Sequence, residues 1–243
     1  MSYLKHNLVA LSVHQSRLAQ LLRESEEDLD IGDIEHPSLL YRGVRIPWFF
    51  VEKKKLFLRC RMHKNVFCFG AGLGHLPWQL LKHNPQMRML IWERDPATLK
   101  EILKHCDFSE MLVQNRLKLL LGMEIISWTS ALKQMKVLPL PGAIKRYNHH
   151  WQMVSTQNLG SLYCVIDGGL LVDDICTVLN QGGNSALTTA ATERELNQAL
   201  RYGIKGLISI NYHVGSAELC ERLKIPLYCW EIDPTLEQRV TLK

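Results

Sequence analysis

Asn65-Val-Phe-Cys-Phe-Gly-Ala-Gly-Leu-Gly-His-Leu-Pro-Trp-Gln-Leu-Leu81, followed by Leu90-Ile-Trp-Glu-Arg-Asp95, decides how the rest of the chain is read. Residues 66–69 are a short apolar run that stops at Gly70, as a strand buried on both faces does. Gly70, Gly72 and Gly74 then turn the chain into an apolar helix predicted over 76–81. A second buried strand over 89–92 ends on Glu93, nineteen residues after Gly74. Strand, glycine turn, helix, strand and terminal acid form the nucleotide-binding half of a doubly wound sheet. The glycines let backbone N–H groups approach a ligand, and the acid is placed to accept ribose hydroxyls. Gly70, Gly72, Gly74 and Glu93 are therefore the expected cofactor-binding residues of a Rossmann-like unit.

Upstream, 4–24 reads as one amphipathic helix with Leu8, Leu11, Leu18, Leu21 and Leu22 on one face. An acidic stretch over 24–35 reads as a solvated loop, since its carboxylates lack metal-ligand spacing. Residues 39–51 read as a small hairpin with Arg42-Gly43 as its turn. Downstream, Asp95-Pro96 supplies an N-cap and an N1 proline for a helix over 97–105. Strands are predicted over 117–121 and 136–140, with a helix near 128–134 between them. His149 and His150 fall in a helical segment, where neighbours point apart, and read as a surface pair without a shared metal.

A second α/β unit follows Asn158-Leu159-Gly160. Strands over 162–166, 186–190, 207–210 and 227–230 alternate with three helices, which argues another parallel sheet. The fold class is thus α/β: two Rossmann-like parallel-sheet units preceded by a short helical and hairpin segment. The expected domains are 1–60, 61–155 and 160–243. Ligands of such sheets bind beyond the carboxyl ends of the strands. In the second unit those ends carry Asp167-Gly168-Gly169, the run from Asn211 to Ser216, and Glu231-Ile232-Asp233. His213, Glu231 and Asp233 can each act as a general base and are the candidate catalytic residues, unranked. Gly215-Ser216 at a helix start can hold a phosphate or another anion. Asp173 and Asp174 read only as complements to a helix dipole.

A charged fraction of 22% and an apolar fraction of 47% are those of a folded water-soluble domain, and 243 residues hold one large or two small ones. The net charge of +5 is mild, and Lys53-Lys54-Lys55 beside Trp48-Phe49-Phe50 is too short a run for a nucleic-acid footprint. It reads as a solvated edge next to a core strand. No apolar stretch reaches membrane-span length, and the N-terminus lacks a signal peptide's apolar core. Seven cysteines without a C-x-x-C pair imply a reducing, cytoplasmic setting without disulfides or zinc. Cys68, Cys164 and Cys229 read as small apolar strand residues.

Two resemblances add to this. Residues 7–150 resemble the motility accessory factor (Maf) and MptE-like group, carried by Gly70-Ala71-Gly72-Leu73-Gly74-His75 and Trp92-Glu93-Arg94-Asp95-Pro96. Residues 161–235 resemble the N-terminal domain of CgeB-type glycosyltransferases, carried by Ile210-Asn211-Tyr212-His213 and Trp230-Glu231-Ile232-Asp233-Pro234. Together they imply a glycosyltransferase, or its N-terminal portion, using a sugar nucleotide and a protein or glycan acceptor in a bacterial-type glycosylation pathway. Such enzymes bind the sugar nucleotide mainly in a C-terminal domain, so a missing domain or a partner subunit is expected. Gly70–Gly74 also resembles part of methyltransferase motif I, with Cys68 where that motif has an acid. That makes S-adenosylmethionine the alternative cofactor, and a non-catalytic nucleotide-binding or scaffold module is the third reading.

Overall fold

The structure, a computed structural model, describes residues 2–25, 29–41, 44–156, 160–167, 171–211 and 213–231. Expected features at Glu26 to Asp28, Arg42-Gly43, Asn158-Leu159, Gly168-Gly169, Tyr212 and from Ile232 through Asp233 onward lie outside the described residues. The chain divides into two compact units, Met1–Asn148 and His149–Lys243. The N-terminal 60 residues pack into the first of these.

The expected N-terminal helix is two, α1 (Leu4–Ser12) and α2 (Ser16–Glu24). The break at Gln15 has a tertiary cause. Its side-chain amide donates to Leu119 O (2.7 Å) and accepts from Leu119 N (3.0 Å), pairing with a strand edge as another strand would. Next come the antiparallel strands β1 (Ser38–Tyr41) and β2 (Val44–Pro47), and α3 (Lys53–Cys60). The three lysines therefore open a helix rather than flank a strand, while Trp48 and Phe50 are buried.

The first parallel sheet follows. β3 (Asn65–Phe69), α4 (His75–His83), β4 (Arg88–Glu93), α5 (Pro96–His105), the short α6 (Ser109–Val113) and β5 (Leu117–Leu121) run in sequence. A 3₁₀ segment (Gly122–Trp128), the short α7 (Thr129–Leu132), β6 (Lys136–Pro139) and α8 (Pro141–Arg146) complete the unit. The helix expected near 128–134 is the short α7, and the 3₁₀ segment before it is tied to the strand exit, where Trp92 Nε1 donates to Gly122 O and Leu121 N to Glu124 Oε2. Strand order is β5-β4-β3-β6, all parallel, so the order reverses between β3 and β6. Buried Asn7 seats α1 by donating to Leu103 O and Cys106 O and accepting from Phe108 N, which satisfies the end of α5 and the start of α6.

The second unit has α9 (Asn148–Thr156), β7 (Leu162–Ile166), α10 (Val172–Gln181), β8 (Ser185–Thr189), α11 (Glu193–Arg201), β9 (Gly206–Ile210), α12 (Val214–Leu223) and β10 (Leu227–Trp230). Its order is β10-β9-β7-β8, again parallel, with the reversal between β7 and β9. The two units are therefore wound differently, 3-2-1-4 in the first and 2-1-3-4 in the second when strands are counted within each. Val165, Val172, Cys176, Ala186 and Ile210 form the core between α10 and the sheet. Cys229, expected inside, is exposed because β10 is the sheet edge. No helix among the described residues is long and apolar enough to cross a membrane.

His149 and His150 correct the expected surface pair: both are buried. His149 Nε2 lies 3.1 Å from Asp173 Oδ1, so Asp173 joins α9 to α10 besides complementing a dipole. Sequence spacing gave no sign of this, because α9 and α10 are joined by a strand and two loops.

Candidate functional site

Both sheets reach their reversal point at the carboxyl ends of their strands, where ligands of this architecture sit. The two points are built from different material.

In the first unit the turn after β3 meets the turn after β6. Gly72 has φ +61°, and a Cβ placed on it would stand 2.8 Å from the Trp48 carbonyl oxygen. A Cβ on Gly142 would stand 2.2 Å from Pro47 O, and one on Gly70, at φ +77°, 2.5 Å from Ala143 Cβ. The exit of the β1–β2 hairpin, from Pro47 to Phe49, thus lies across the glycine turns. Trp48, Tyr147, Trp92 and Phe69 close the crevice beneath it. Trp48 and Trp92 each meet the Tyr147 ring edge-on, with centroids 6.4 and 5.6 Å away, and Phe69 stacks on Trp92 at 4.5 Å. All four are buried. Gly74 packs on Ile102 and Phe108. What stays open beside the turn is a hollow of about 30 Å³ lined by Phe49, Ala71, Gly72 and His75 among others.

Glu93 is fully buried at the end of β4. Its Oε1 accepts from Ala71 N (2.9 Å), so the acid holds its own glycine turn in the way a ribose hydroxyl would be held. Its Oε2 is buried without a hydrogen-bond partner among the described residues, and the nearby Thr98 hydroxyl donates to Asp95 O (2.7 Å). Burial pushes the Glu93 carboxyl up to about 8, with the Ala71 N–H opposing that shift and the Asp95 charge adding to it. Asp95 stands at the N-cap position of α5 with Pro96 behind it, but its carboxylate does not cap. It accepts from Tyr147 Oη (2.6 Å) and pairs with Arg146 (3.0 Å), and burial followed by that charge drives the Tyr147 phenol well above its ordinary range. In this conformation Gly70, Gly72, Gly74 and Glu93 contact protein. The Glu93 carboxyl is fully buried.

The second unit presents the opposite picture. Asp167 follows β7, Asn211 follows β9 and Glu231 follows β10, and these strands are neighbours. Asn211 N donates to Trp230 O (2.8 Å), which ties the loop after β9 to the end of β10. Ser209 Oγ donates to Asn211 O (2.6 Å) and fixes the same loop from below. His213 occupies the N-cap position of α12 with no side-chain cap bond; it and Glu231 are exposed. A Cβ on Gly215 would meet nothing within 4 Å, and Ser216 N is taken by His213 O (3.0 Å). Leu171, Ala191 and Asn211 hold φ of +65°, +54° and +61°. Three of the loops at this edge thus carry a non-glycine residue in the left-handed region, each costing about 1 kcal/mol or more.

The structure therefore gathers Asp167, Asn211 and His213 at the reversal point, with Glu231 one strand further out, while Asp233 lies outside the described residues. One acid of this edge escaped sequence reading. Glu195 Oε2 accepts from Thr189 Oγ1 (2.6 Å) and Ala190 N (2.8 Å), closing the end of β8 as Glu93 closes that of β3. The Thr192-x-x-Glu195 spacing of a capping box was its signal, and Thr192 does cap α11 through Glu195 N. Among the described residues no cluster of side chains is arranged to hold a metal.

No protein-family model and no curated protein matches the sequence. A solved structure of a MAf glycosyltransferase from Magnetospirillum magneticum AMB-1 aligns with 94% of this chain at 14% identity and a TM-score of 0.42. The chain spans about half that protein's length, 53%.

Proposed function

We propose that the chain belongs to a glycosyltransferase that uses a sugar nucleotide, and that its working edge is the carboxyl rim of the second sheet. The observation that carries this is the contrast at the two reversal points: the first is packed by Trp48, Tyr147 and Trp92, and the second exposes His213 and Gly215. The resemblance of 161–235 to CgeB-type enzymes supports the reaction class, and it rests on the same loop, Ile210 to His213.

Chemically, an acceptor hydroxyl has to lose its proton as its oxygen bonds to the anomeric carbon, while the carbon–oxygen bond to phosphate breaks and the nucleoside diphosphate or monophosphate leaves. His213 is the favoured base, since its loop borders the reversal point and Glu231 stands one strand away. Gly215, with open space where a side chain would be, admits an anion to the start of α12. The test is thermal unfolding of the chain against a panel of UDP-, GDP- and CMP-sugars. A true ligand held at about 100 times its dissociation constant adds roughly 2.7 kcal/mol of stability. Gly215→Trp, which fills the rim, should reduce that shift, and His213→Ala should keep binding while lowering transfer about 100-fold or more. A panel without any shift overturns the proposal.

A further inference from the structure

The first sheet has a second concavity, at the edge opposite its glycine turns. A hollow of about 560 Å³ opens between the amino ends of β3–β5 and the segment formed by the 3₁₀ turn and α7. Drug- and cofactor-sized ligands occupy sites of about 300 to 1,000 Å³. Leu90 and Met135 give it an apolar lining, and the half-buried indole of Trp128 lines it as well. Lys118 is the register partner of Leu90, on the same sheet face, and its Nζ stands 4.7 Å from the Trp128 ring centre. Arg88 is exposed at the first position of β4.

The charge is one-sided. Arg88, Arg116 and Lys118 line the hollow and no acidic side chain does. Arg116 is held in place by donating to Leu81 O (2.6 Å) and Asn84 O (2.9 Å) at the end of α4. Neither Arg88 nor Lys118 takes part in an ion pair among the described residues. Solvated lysines and arginines are common on surfaces, but here they surround an indole and an apolar lining in a concave site. An aromatic face with cations around it selects a ligand that is flat at one end and anionic at the other.

We propose that this hollow binds a nucleoside phosphate, with the base against Trp128 and the phosphates between Arg88 and Lys118. Lys118 can exchange its half-buried contact with the indole for a stronger charge-assisted bond to phosphate, leaving a ring face to the base. Ser130 and Gln134, which also line the hollow, offer hydroxyl and amide groups to a ribose or a base edge. This reading is independent of the one given for the second rim.

The test is calorimetric titration of the full chain with UDP, GDP and ADP, using inorganic pyrophosphate and uridine as single-feature probes. The diphosphates are expected to bind, and each single-feature probe to bind about tenfold more weakly or worse, as expected when one of two anchoring contacts is missing. Arg88→Glu/Lys118→Glu, two surface changes checked for folding by circular dichroism, should abolish the heat, and Trp128→Leu should weaken it about tenfold. The titrations are made in Gly215→Trp, whose rim is closed, so that the heat reports the hollow alone. Absence of any heat in that variant, or retention of affinity when Arg88→Glu/Lys118→Glu is added to it, overturns the proposal. Heat seen in the parent chain and lost in Gly215→Trp would leave the rim as the nucleotide site. Tighter binding of a single-stranded oligonucleotide than of the free diphosphates would also overturn it.

Discussion

The carboxyl rims of the two sheets are the same architectural position filled in two ways. At the first, the chain supplies its own occupant: the hairpin exit at Pro47–Phe49 lies where Gly72 and Gly142 leave room, and Glu93 bonds the Ala71 N–H. At the second, the loops are fixed from beneath by Ser209 and Glu195, and the residues above them face solvent. A glycine turn and a strand-terminal acid therefore do not by themselves mark an occupied site. They mark a place where something approaches the backbone closely, and packing decides whether that is a ligand or another part of the chain.

The sharpest way to break the comparison is Gly72→Ala. The new Cβ combines a left-handed φ with a clash against the Trp48 carbonyl, a backbone atom that cannot rotate away. A loss of about 3 kcal/mol is expected, read by urea unfolding and by faster hydrogen exchange in β3. If the variant is as stable as the parent, the hairpin does not close the crevice in solution.

Glu93 gives the next largest effect. Its carboxyl is raised from 4.5 to about 8 in the fold, so the folded protein keeps a proton that the unfolded chain releases between those values. Stability should be fully present below the unfolded value and fall as pH rises through that window. Glu93→Gln retains an acceptor for Ala71 N–H and should flatten the slope, making the variant the more stable protein at pH 8. An unchanged pH profile in the variant would show that the carboxylate is hydrated.

Two smaller effects belong to the second rim. Thr192→Ala removes the hydroxyl that caps α11 through Glu195 N and should cost about 1 kcal/mol in thermal unfolding. Gly215→Ala adds a Cβ into open space within a helix, and a change within about 0.5 kcal/mol in either direction is expected. Set beside Gly72→Ala, that near-neutrality measures directly how differently the two rims are packed.

The strands, the glycine turns, their alternation with helices and the pairing of two α/β units were legible because they are local. Apolar runs such as 66–69 and 117–121 and stops such as Gly70 depend on residues within a few positions of one another. The helix break at Gln15, the burial of His149 and His150 and the pairing of Asp173 were not legible, since each depends on partners tens of residues away. The identity of the rim residues Asp167, Asn211, His213 and Glu231 was read from sequence. Their order across the sheet came only from the β10-β9-β7-β8 arrangement, which sets the loop of His213 beside the reversal point and Glu231 one strand further out.

From its residues alone this chain determined that it would form two parallel sheets with polar turns at their carboxyl ends. Which of those ends stays open was decided by the tertiary structure. A glycine encodes only the lack of a side chain. Whether the freed space receives a ligand or the carbonyl of Trp48 depends on contacts made across some twenty to a hundred residues of chain, and no local pattern records them.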